Sequence, residues 1–473
     1  MRFIGRKNEL KTLNEQYRKP QKYGAPMVVI YGRRRVGKTT LIGQFAADKP
    51  ALTFLASQET STSNLQNFVK QIAEQAGLPY AQGLSINNWY DAFQFYADTF
   101  LNDSVRHVLI IDEFPYLVQS DKAFPSIMQR VWDTGLKDKN MMLILCGSHE
   151  SMMLSSVLSH ESPLYGRRTA QIKLLPFSFR EFSDAFPAMA FEDRVRLYAL
   201  TGGIPKYMEE FNGSTEFDFY KELKDKVLNA NSMLYLEPEF LLKSDSAGNA
   251  NQMTLLKTIA GGAHKMAEIA AKMEVRATDL SFYLKNLTDI GYIRREIPVT
   301  EKNQAKSKMG LYFINDSYID FWFKFVYPYR GSIDLGRTDR VEIIVKRDYD
   351  MRHSAFVYER ICLEVLLDYC DSRDDILMPE RFGRYWDSGK EIDVVAIDDT
   401  NKRAFVGECK FHNEPVGLDV LSSLHQKYTE IKELQGYTPI FGLFSKSGFT
   451  SGIFEALKES DNIMLFDKDV IVS

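Results

Sequence analysis

Residues 32–39 place two glycines, a lysine and a threonine at a spacing that binds nucleotide phosphates. The segment Gly32-Arg33-Arg34-Arg35-Val36-Gly37-Lys38-Thr39 fits the pattern GxxxxGK[ST], and Thr40 continues into a helical run. The glycines let backbone N–H groups curl around phosphate oxygens. Lys38 would reach the β- and γ-phosphates, and Thr39 would ligate Mg²⁺. Because an apolar run precedes the motif and a helix follows it, we expect a phosphate-binding loop over residues 32–40 rather than a glycine-rich turn.

A second apolar run, at 107–112, ends in an acidic pair. Asp112 would support the Mg²⁺, and Glu113 would orient or deprotonate the attacking water. Ser148 ends a third apolar run, where its hydroxyl either touches the γ-phosphate or the water or only caps the strand. At this separation from the glycine-rich loop, the acidic pair indicates hydrolysis of ATP, with Lys38 and Glu113 as the catalytic residues.

Five compact apolar runs must hold these side chains at one edge of a sheet. Each is bounded by polar segments and separated from the next by helical patterns: 27–32, 51–56, 107–112, 141–147 and 170–175. Near-continuous apolar strands are typical of a parallel sheet covered by helices on both faces. We therefore predict an α/β fold for residues 1–177, a P-loop ATPase core with a parallel sheet. A helical lid would follow over residues 178–245.

The middle of the chain has the outline of a winged helix-turn-helix. Three short helical patterns are followed by two strand-like runs, and we assign this module to residues 246–335. Residues 252–310 hold ten Lys or Arg against six Asp or Glu, in a chain whose net charge is −4. Basic side chains of the last helix and the wing, such as Lys285, Arg294 and Arg295, would contact DNA phosphates. A protein-docking role is the alternative, because Asp279 and Asp289 lie in the same helix.

The last module, residues 336–473, contains carboxylates that a hairpin would bring together. If the hairpin centres between Thr400 and Asn401, Asp393 lies opposite Glu408, and Lys410 shares their face. Two facing carboxylates repel each other unless a cation lies between them. Such a site suits Mg²⁺-assisted phosphodiester hydrolysis, in which Lys410 orients the nucleophile. A register shift of one residue would separate the two carboxylates.

The first 330 residues resemble the archaeal-type ATPase family, a branch of the AAA+/STAND P-loop ATPases. The segments that carry this resemblance are FIGRKNEL (3–10), YGRRRVGKTT (31–40), LIIDEFPYL (109–117), LCGSHESMM (145–153), YGRR (165–168) and TGGIPKYM (201–208). The resemblance implies that Gly5 and Arg6 lie near the adenine. It also implies that Arg167 or Arg168 senses or completes the γ-phosphate site. A solvated arginine pair is the alternative for these two residues.

The C-terminal pattern resembles the PD-(D/E)xK nuclease superfamily through Ile392-Asp393 and Glu408-Cys409-Lys410. The resemblance implies an α/β restriction-endonuclease-like domain in which Glu359 supplies a further acidic ligand from the preceding helix. Glu359, Asp393 and Glu408 would hold a second Mg²⁺ or Mn²⁺, and Gln426 matches a glutamine on the following helix. Ile392 departs from the proline that names the motif. Archaeal-type ATPases frequently carry a C-terminal domain of this kind.

Composition limits the remaining possibilities. The 473 residues suffice for about three domains, and a net charge of −4 excludes a protein that coats nucleic acid by bulk positive charge. The sequence has four scattered cysteines and contains neither a signal-peptide pattern nor a long apolar run. We therefore expect a soluble cytoplasmic protein. We expect an ATP-controlled DNA-processing protein with DNA as its partner. A regulatory switch that binds a protein partner and has a silent nuclease fold is the alternative, and the arginine pair also allows an oligomer.

Overall fold

The computed structural model describes residues 3–78, 86–101, 104–211, 216–244, 249–373, 376–387 and 389–472. The predicted boundary between lid and winged helix, at residue 245, lies outside the described residues. Contacts divide the chain into two compact units. The first comprises Met1–Phe177 with Ile204–Lys206 and Asp289–Gly291, and the second comprises the rest of the chain. The domain boundary at 335 stays a prediction.

The first unit is built on a five-stranded parallel sheet, as the apolar runs predicted. The strands are β1 Met27–Tyr31, β2 Ala51–Leu55, β3 His107–Asp112, β4 Met141–Gly147 and β5 Ala170–Lys173. Their order is β2-β3-β4-β1-β5, so β4 lies between the strand that leads into the glycine-rich loop and the strand that ends in the acidic pair. The carboxyl ends of β1, β3 and β4 therefore meet at one edge of the sheet.

Helices cover both faces of this sheet. They are α1 Lys7–Tyr17, α2 Lys38–Ala46, α3 Ser61–Gln75, α4 Trp89–Phe100, α5 Phe114–Ser120, α6 Phe124–Val131 and α7 Glu150–Met153. Alternate residues of the strands face opposite cores: Val29 and Leu143 belong to one cluster, and Val28 and Ile144 to the other. Burial on both faces explains why β1, β3 and β4 are nearly continuous apolar runs, whereas the outer strands β2 and β5 also carry exposed residues.

The second unit begins with helices and contains a winged helix-turn-helix. Its helices up to this motif are α8 Phe179–Ala185, α9 Phe191–Thr201, α10 Pro205–Met208, α11 Phe219–Lys226, α12 Met233–Ser244, α13 Ala250–Ala260, α14 Met266–Met273 and α15 Ala277–Asp289. The antiparallel hairpin of β6 Ile293–Glu296 and β7 Leu311–Ile314 follows α15. An isolated β-bridge also joins Lys265 to Leu311 of β7.

A six-stranded mixed sheet forms the C-terminal part of the same unit. After α16 Ser317–Phe321, α17 Arg330–Asp334, α18 Asp339–Tyr349 and α19 Ala355–Asp371 come strands β8 Arg381–Asp387, β9 Lys390–Asp398 and β10 Arg403–Lys410. They are followed by α20 Leu418–Thr429, β11 Thr438–Ser445, α21 Ser451–Glu459, β12 Ile463–Asp467 and β13 Val470–Ile471. The strand order is β13-β12-β11-β10-β9-β8. The sequence patterns predicted β9, β10 and β11 but not β8, β12 or β13.

In the part of the chain that the structure describes, no helix combines the length and the apolar character needed to cross a membrane.

Candidate functional site

The glycine-rich loop connects β1 to α2 and depends on glycine at two positions. Gly32 has φ 153°, and a Cβ there would lie 2.3 Å from the carbonyl oxygen of Leu174. Gly37 has φ 90° and precedes the first turn of α2. L-residues with a side chain rarely adopt such angles, so both glycines of the motif are required by the backbone. The loop leads directly into the N-terminus of α2, whose backbone N–H groups and helix dipole would favour phosphate oxygens.

Lys38 lies folded against this loop. Its Nζ donates hydrogen bonds to the carbonyl oxygens of Gly32, at 2.8 Å, and Arg33, at 2.9 Å. The side chain is buried, and burial lowers the pKa of the ammonium group. A cation that burial has separated from water favours an incoming anion. In the same loop, Arg34 donates to the hydroxyl of Tyr116 at 3.0 Å.

The hydroxyl of Thr39 and the carboxylate of Asp112 are in contact. Thr39 Oγ1 donates to Asp112 Oδ2 at 2.9 Å, and the other oxygen of Asp112 accepts from the backbone N–H of Glu113 at 2.9 Å. A hydroxyl beside a carboxylate is a donor set that Mg²⁺ accepts, since this ion prefers oxygen ligands. Thr40, next along α2, is exposed.

Cys146 lies next to Asp112, and the sequence patterns gave no sign of this. Burial and the Asp112 charge raise the pKa of the Cys146 thiol well above its ordinary value. Cys146 is therefore a neutral thiol that packs against the acidic site. Its place on β4, between β1 and β3, accounts for the proximity.

Glu113 begins α5 in a left-handed conformation, with φ 54°. Its Oε2 accepts a hydrogen bond from the Ser148 hydroxyl at 2.9 Å and another from the Ser148 backbone N–H at 3.1 Å. Ser148 is therefore more than a cap of its own strand. The strand order places β4 next to β3, which brings the two residues together at the carboxyl edge.

The N-terminal segment ties the glycine-rich loop to the end of the sheet. Gly5 and Arg6 both have φ near 60°, at 60° and 57°. The buried guanidinium of Arg6 donates to the carbonyl of Val36 at 3.0 Å and that of Leu175 at 2.7 Å. It also lies 4.3 Å from the ring centroid of Phe177. Arg6 thus contacts the backbone of the phosphate-binding loop.

The two candidate arginines after β4 have different surroundings. Arg167 forms a bidentate pair with Asp133, through Nε at 2.9 Å and NH2 at 2.6 Å, and also donates to the carbonyl of Pro163. Arg168 lies 5.4 Å from the ring centroid of Tyr165, and its buried NH1 has no hydrogen-bond partner among the described residues. In the part of the chain that the structure describes, Arg168 thus differs from Arg167 in having no carboxylate partner.

In the second unit, strands β9 and β10 pair in the register that the turn predicted. The paired residues run from Arg403 with Asp398 to Gly407 with Val394. One step further, Asp393 Oδ2 accepts from the backbone N–H of Cys409 at 2.9 Å, which places the carboxyl beside Glu408. Burial and the charge of Glu408 raise the pKa of Asp393 to about 6. The two carboxylates are therefore neighbours that repel each other.

Two lysines neutralise Glu408. Lys410 Nζ lies 2.8 Å from Oε1, and Lys427 Nζ, which comes from α20, lies 2.8 Å from Oε2. The resemblance implied a role for Gln426 on this helix, but Gln426 is exposed, and the next residue, Lys427, contacts Glu408 instead. The rotation of α20, which buries Leu421 and Leu424, decides which of the two faces inward.

Glu359 of α19 lies beside Arg384 and close to the charge of Asp393. Its Oε2 lies 3.2 Å from Arg384 Nε, while burial and the Asp393 charge raise the pKa of Glu359 well above its ordinary value. Across the described residues, no three His, Cys, Asp or Glu side chains are grouped so that they could hold a metal ion. Arg384 and Lys427 were missed because their partners lie far away in sequence.

Fewer basic side chains of the wing are exposed to a ligand than the composition suggested. Arg294 donates to Glu296 at 2.7 Å and to the carbonyl of Ile314 at 2.9 Å, and burial lowers the pKa of Arg294 to about 10. Arg295 donates to the backbone carbonyls of Gln304 and Ser307. The exposed basic residues of this part of the chain are Lys257, Lys265, Lys272, Arg276, Lys285, Lys302, Lys306 and Lys308.

Comparisons with known proteins show the family and the fold of this chain. A family model described as an ATPase domain predominantly from Archaea matches residues 3–211, and a model of archaeal and bacterial proteins of unknown function matches residues 322–428. The uncharacterized protein MJECL04 of Methanocaldococcus jannaschii is 32% identical over 467 residues, which are 98% of this chain and 99% of that protein. The uncharacterized protein MJ0424 of the same organism is 30% identical over 94 residues, 20% of this chain and 88% of that protein.

Among solved structures, the Walker-type ATPase paby2304 of Pyrococcus abyssi is similar to this chain. The TM-score is 0.51 at 19% identity, and the alignment covers 68% of this chain and 96% of that one. At this level of identity the likeness establishes the fold and nothing finer. The shared fold extends beyond the nucleotide-binding unit, since that unit alone is well under half of the chain.

Proposed function

Because the chain belongs to the archaeal-type ATPase family, we propose that its first unit binds MgATP and hydrolyses it. The observation that carries the proposal is the 2.9 Å hydrogen bond between Thr39 Oγ1 and Asp112 Oδ2. It brings the end of the phosphate-binding loop together with the acidic end of β3. Thr39 and Asp112 would hold Mg²⁺, which when bound neutralises charge on the phosphates.

The residues around Thr39 and Asp112 have different roles in the proposed hydrolysis. Lys38 exchanges its contacts with the Gly32 and Arg33 carbonyls for the β- and γ-phosphates. Glu113 accepts the proton of the attacking water or orients it, while Ser148 holds the carboxylate in place. Arg168 supplies positive charge toward the γ-phosphate, because Arg167 is committed to Asp133.

The test is ATP turnover of the full chain. In Lys38→Ala we expect turnover to fall below detection, and in Glu113→Gln we expect a fall of about 100-fold or more with nucleotide still bound. Lys70→Ala, which changes an exposed lysine on α3, is the matched control and should turn over ATP like the wild type. Undiminished turnover in Lys38→Ala would refute the proposal.

We further propose a metal-dependent phosphodiester site in the second unit. Asp393 and Glu408 lie beside each other, where burial and then the charge of Glu408 raise the pKa of Asp393, and a divalent cation between the two carboxylates would relieve their repulsion. When bound, Mg²⁺ or Mn²⁺ polarises phosphate and water. Lys410, already paired with Glu408, would position the nucleophile or the phosphate.

Nuclease assays with linear, nicked and single-stranded DNA test this second function. We expect cleavage in Mg²⁺ or Mn²⁺ that is lost in Asp393→Ala and Glu408→Ala and retained in Glu414→Ala, which alters an exposed residue nearby. If the wild type cuts none of these substrates with or without ATP, the nuclease-like fold serves partner binding and the protein acts as an ATP-gated switch.

DNA contact through the winged helix is the remaining part of the proposal. The exposed wing lysines Lys302, Lys306 and Lys308 are the phosphate contacts, since Arg294 and Arg295 bond within the hairpin. Replacing all three by alanine should weaken DNA binding and reduce the slope of log affinity against log salt by about 3, at roughly 0.9 per phosphate contact. An unchanged slope would favour a protein partner instead.

We place this activity in the cytoplasm, because all four cysteines are free thiols.

A further inference from the structure

An ion pair joins two elements at the carboxyl edge of the parallel sheet in the first unit. Lys173 is the last residue of β5, and its Nζ lies 2.9 Å from Oε2 of Glu150. Glu150 begins α7, two residues after Ser148, and only 11% of its side chain is exposed, against 48% for Lys173. Removing the lysine would therefore leave a largely buried carboxylate without its ion-pair partner.

The register of the sheet places this pair beside the phosphate-binding loop. Tyr31 of β1 lies opposite Gly147 of β4 on one side and Lys173 of β5 on the other. Neighbouring strands are about 4.8 Å apart, so these three residues form one short row across the carboxyl edge. The loop begins at the next residue, Gly32, and the N–H of Leu174 donates to the Tyr31 carbonyl at 2.7 Å. The ion pair thus spans the strand that leads into the loop.

The carboxylate of Glu150 is close enough to Lys38 to act on its charge. The Lys38 ammonium donates to the carbonyl oxygen of Gly32 at 2.8 Å, at the same start of the loop. Burial lowers the pKa of Lys38, and nearby acids, Glu150 among them, oppose this lowering. Glu150 therefore adds a further negative charge to that of Asp112 and Glu113 around the loop.

The charge of Glu150 bears on which nucleotide the loop would prefer. ATP has one phosphate group more than ADP and so carries more negative charge. Because Lys38 is the proposed contact of the β- and γ-phosphates, an unneutralised carboxylate near it would repel ATP more than ADP. A difference between two affinities is what makes a site specific. Lys173 cancels the charge of Glu150 and so removes this repulsion.

We propose that Lys173 sets the affinity of the first unit for ATP relative to ADP by neutralising Glu150. This inference rests on the proposed nucleotide binding of that unit. Lys173 acts through Glu150 rather than by contact with the phosphates, so it is a positioning residue. Its effect on the two nucleotides should disappear when residue 150 is uncharged.

Titrations of the full chain with ADP and with a non-hydrolysable ATP analogue measure the two affinities without turnover. In Lys173→Ala we expect the affinity for the analogue, relative to ADP, to fall about tenfold. Glu150→Gln should bind the analogue at least as tightly, relative to ADP, as the wild type. Lys70→Ala is the matched control, because Lys70 of α3 also pairs with an acid, Glu74, at 3.7 Å, and it should leave the ratio unchanged.

The double variant Glu150→Gln/Lys173→Ala separates neutralisation from a direct contact between Lys173 and phosphate. Since both charges are removed, the ratio of affinities should return to within about twofold of the wild type. An unchanged ratio in Lys173→Ala, or a double variant that keeps the ratio of Lys173→Ala, would overturn the role of Lys173. A wild type that binds neither nucleotide would instead overturn the proposed function of the first unit.

Discussion

Ser148 donates two hydrogen bonds to one oxygen of Glu113, at 2.9 Å from its hydroxyl and 3.1 Å from its backbone N–H. The two residues lie 35 positions apart in sequence, at the ends of adjacent strands β4 and β3. Two hydrogen bonds to one oxygen of a carboxylate fix the direction in which the group points. The proposed base is therefore oriented before any substrate arrives.

Ser148→Ala removes one of these two donors and leaves the backbone N–H in place. We expect kcat for ATP to fall about tenfold, which corresponds to a loss of about 1.4 kcal/mol in the transition state. The Kd for ATP should stay within about twofold, because Ser148 contacts the acid and not the phosphate-binding loop. Single-turnover kinetics and a nucleotide titration measure both, and an equal change in kcat and Kd would contradict this role.

Arg6→Ala should loosen the phosphate-binding loop. Arg6 donates to the carbonyls of Val36 and Leu175, and hydrogen bonds from a charged group contribute about 1.5–3 kcal/mol each. We expect a lower melting temperature and weaker ATP binding, with Lys7→Ala, an exposed neighbour, unchanged on both counts. Arg6→Lys should restore little, because an ammonium cannot reproduce the forked geometry. Wild-type ATP affinity in Arg6→Ala would argue against this role.

Substitution of Arg168 should lower the rate of ATP hydrolysis, whereas substitution of Arg167 should lower the melting temperature. Arg168→Ala is expected to lower kcat by about 10³-fold, the smaller end of the effect of an arginine at the γ-phosphate, with the melting temperature nearly unchanged. Arg167→Ala breaks the pair with Asp133 and should lower the melting temperature, as should Asp133→Asn. Thermal unfolding and ATP turnover of the three variants decide the assignment. A catalytic defect in Arg167→Ala with unaltered stability would reverse it.

The Asp393 carboxyl should make stability fall with rising pH. Its pKa is raised from 3.8 to about 6, so the native state binds this proton more tightly than the unfolded chain. The stabilisation is complete below the ordinary pKa and is lost as the pH rises through about 6. In metal-free protein, Asp393→Asn should therefore melt about 2–4 °C above the wild type at pH 7.5.

Asp398→Asn is the matched control for that experiment. Asp398 accepts hydrogen bonds from the backbone N–H of Asn401 at 2.8 Å and of Met378 at 3.1 Å. Because an amide accepts these bonds less well than a carboxylate, this variant should melt below the wild type. Stabilisation of both variants would show that the pH dependence has another source.

The parallel sheet and the P-loop could be predicted because their signals are local. Strands β1, β3 and β4 are buried along their whole length and so are nearly continuous apolar runs, and the spacing from Gly32 to Thr39 fits the sequence pattern of a phosphate-binding loop. The register of β9 and β10 was also predictable, since a short turn sets the pairing of the strands it joins. These features require no knowledge of what packs against them.

Other parts of the site depend on contacts that no local pattern records. Lys427 rather than Gln426 reaches Glu408 because the apolar face of α20 fixes the rotation of that helix. β8, which carries Arg384, has exposed and half-buried residues mixed along it, so its sequence lacks the regular alternation of a strand. The composition suggested that Arg294 and Arg295 add positive charge to the protein surface. In the structure, both side chains donate hydrogen bonds to backbone carbonyls within the hairpin.

The sequence by itself determined the chemistry that each element carries: a phosphate-binding loop, an acidic strand end and a pair of carboxylates in a hairpin. Only the tertiary structure decided which side chains contact one another. Glu113 accepts a hydrogen bond from Ser148, Arg167 forms an ion pair with Asp133, and Glu359 lies beside Arg384. Residue type and short-range spacing set which functional groups a strand or loop presents. Contacts between side chains that are distant in sequence depend on the strand order and on the rotation of the packed helices. Both are determined by the burial of apolar surface over the whole unit.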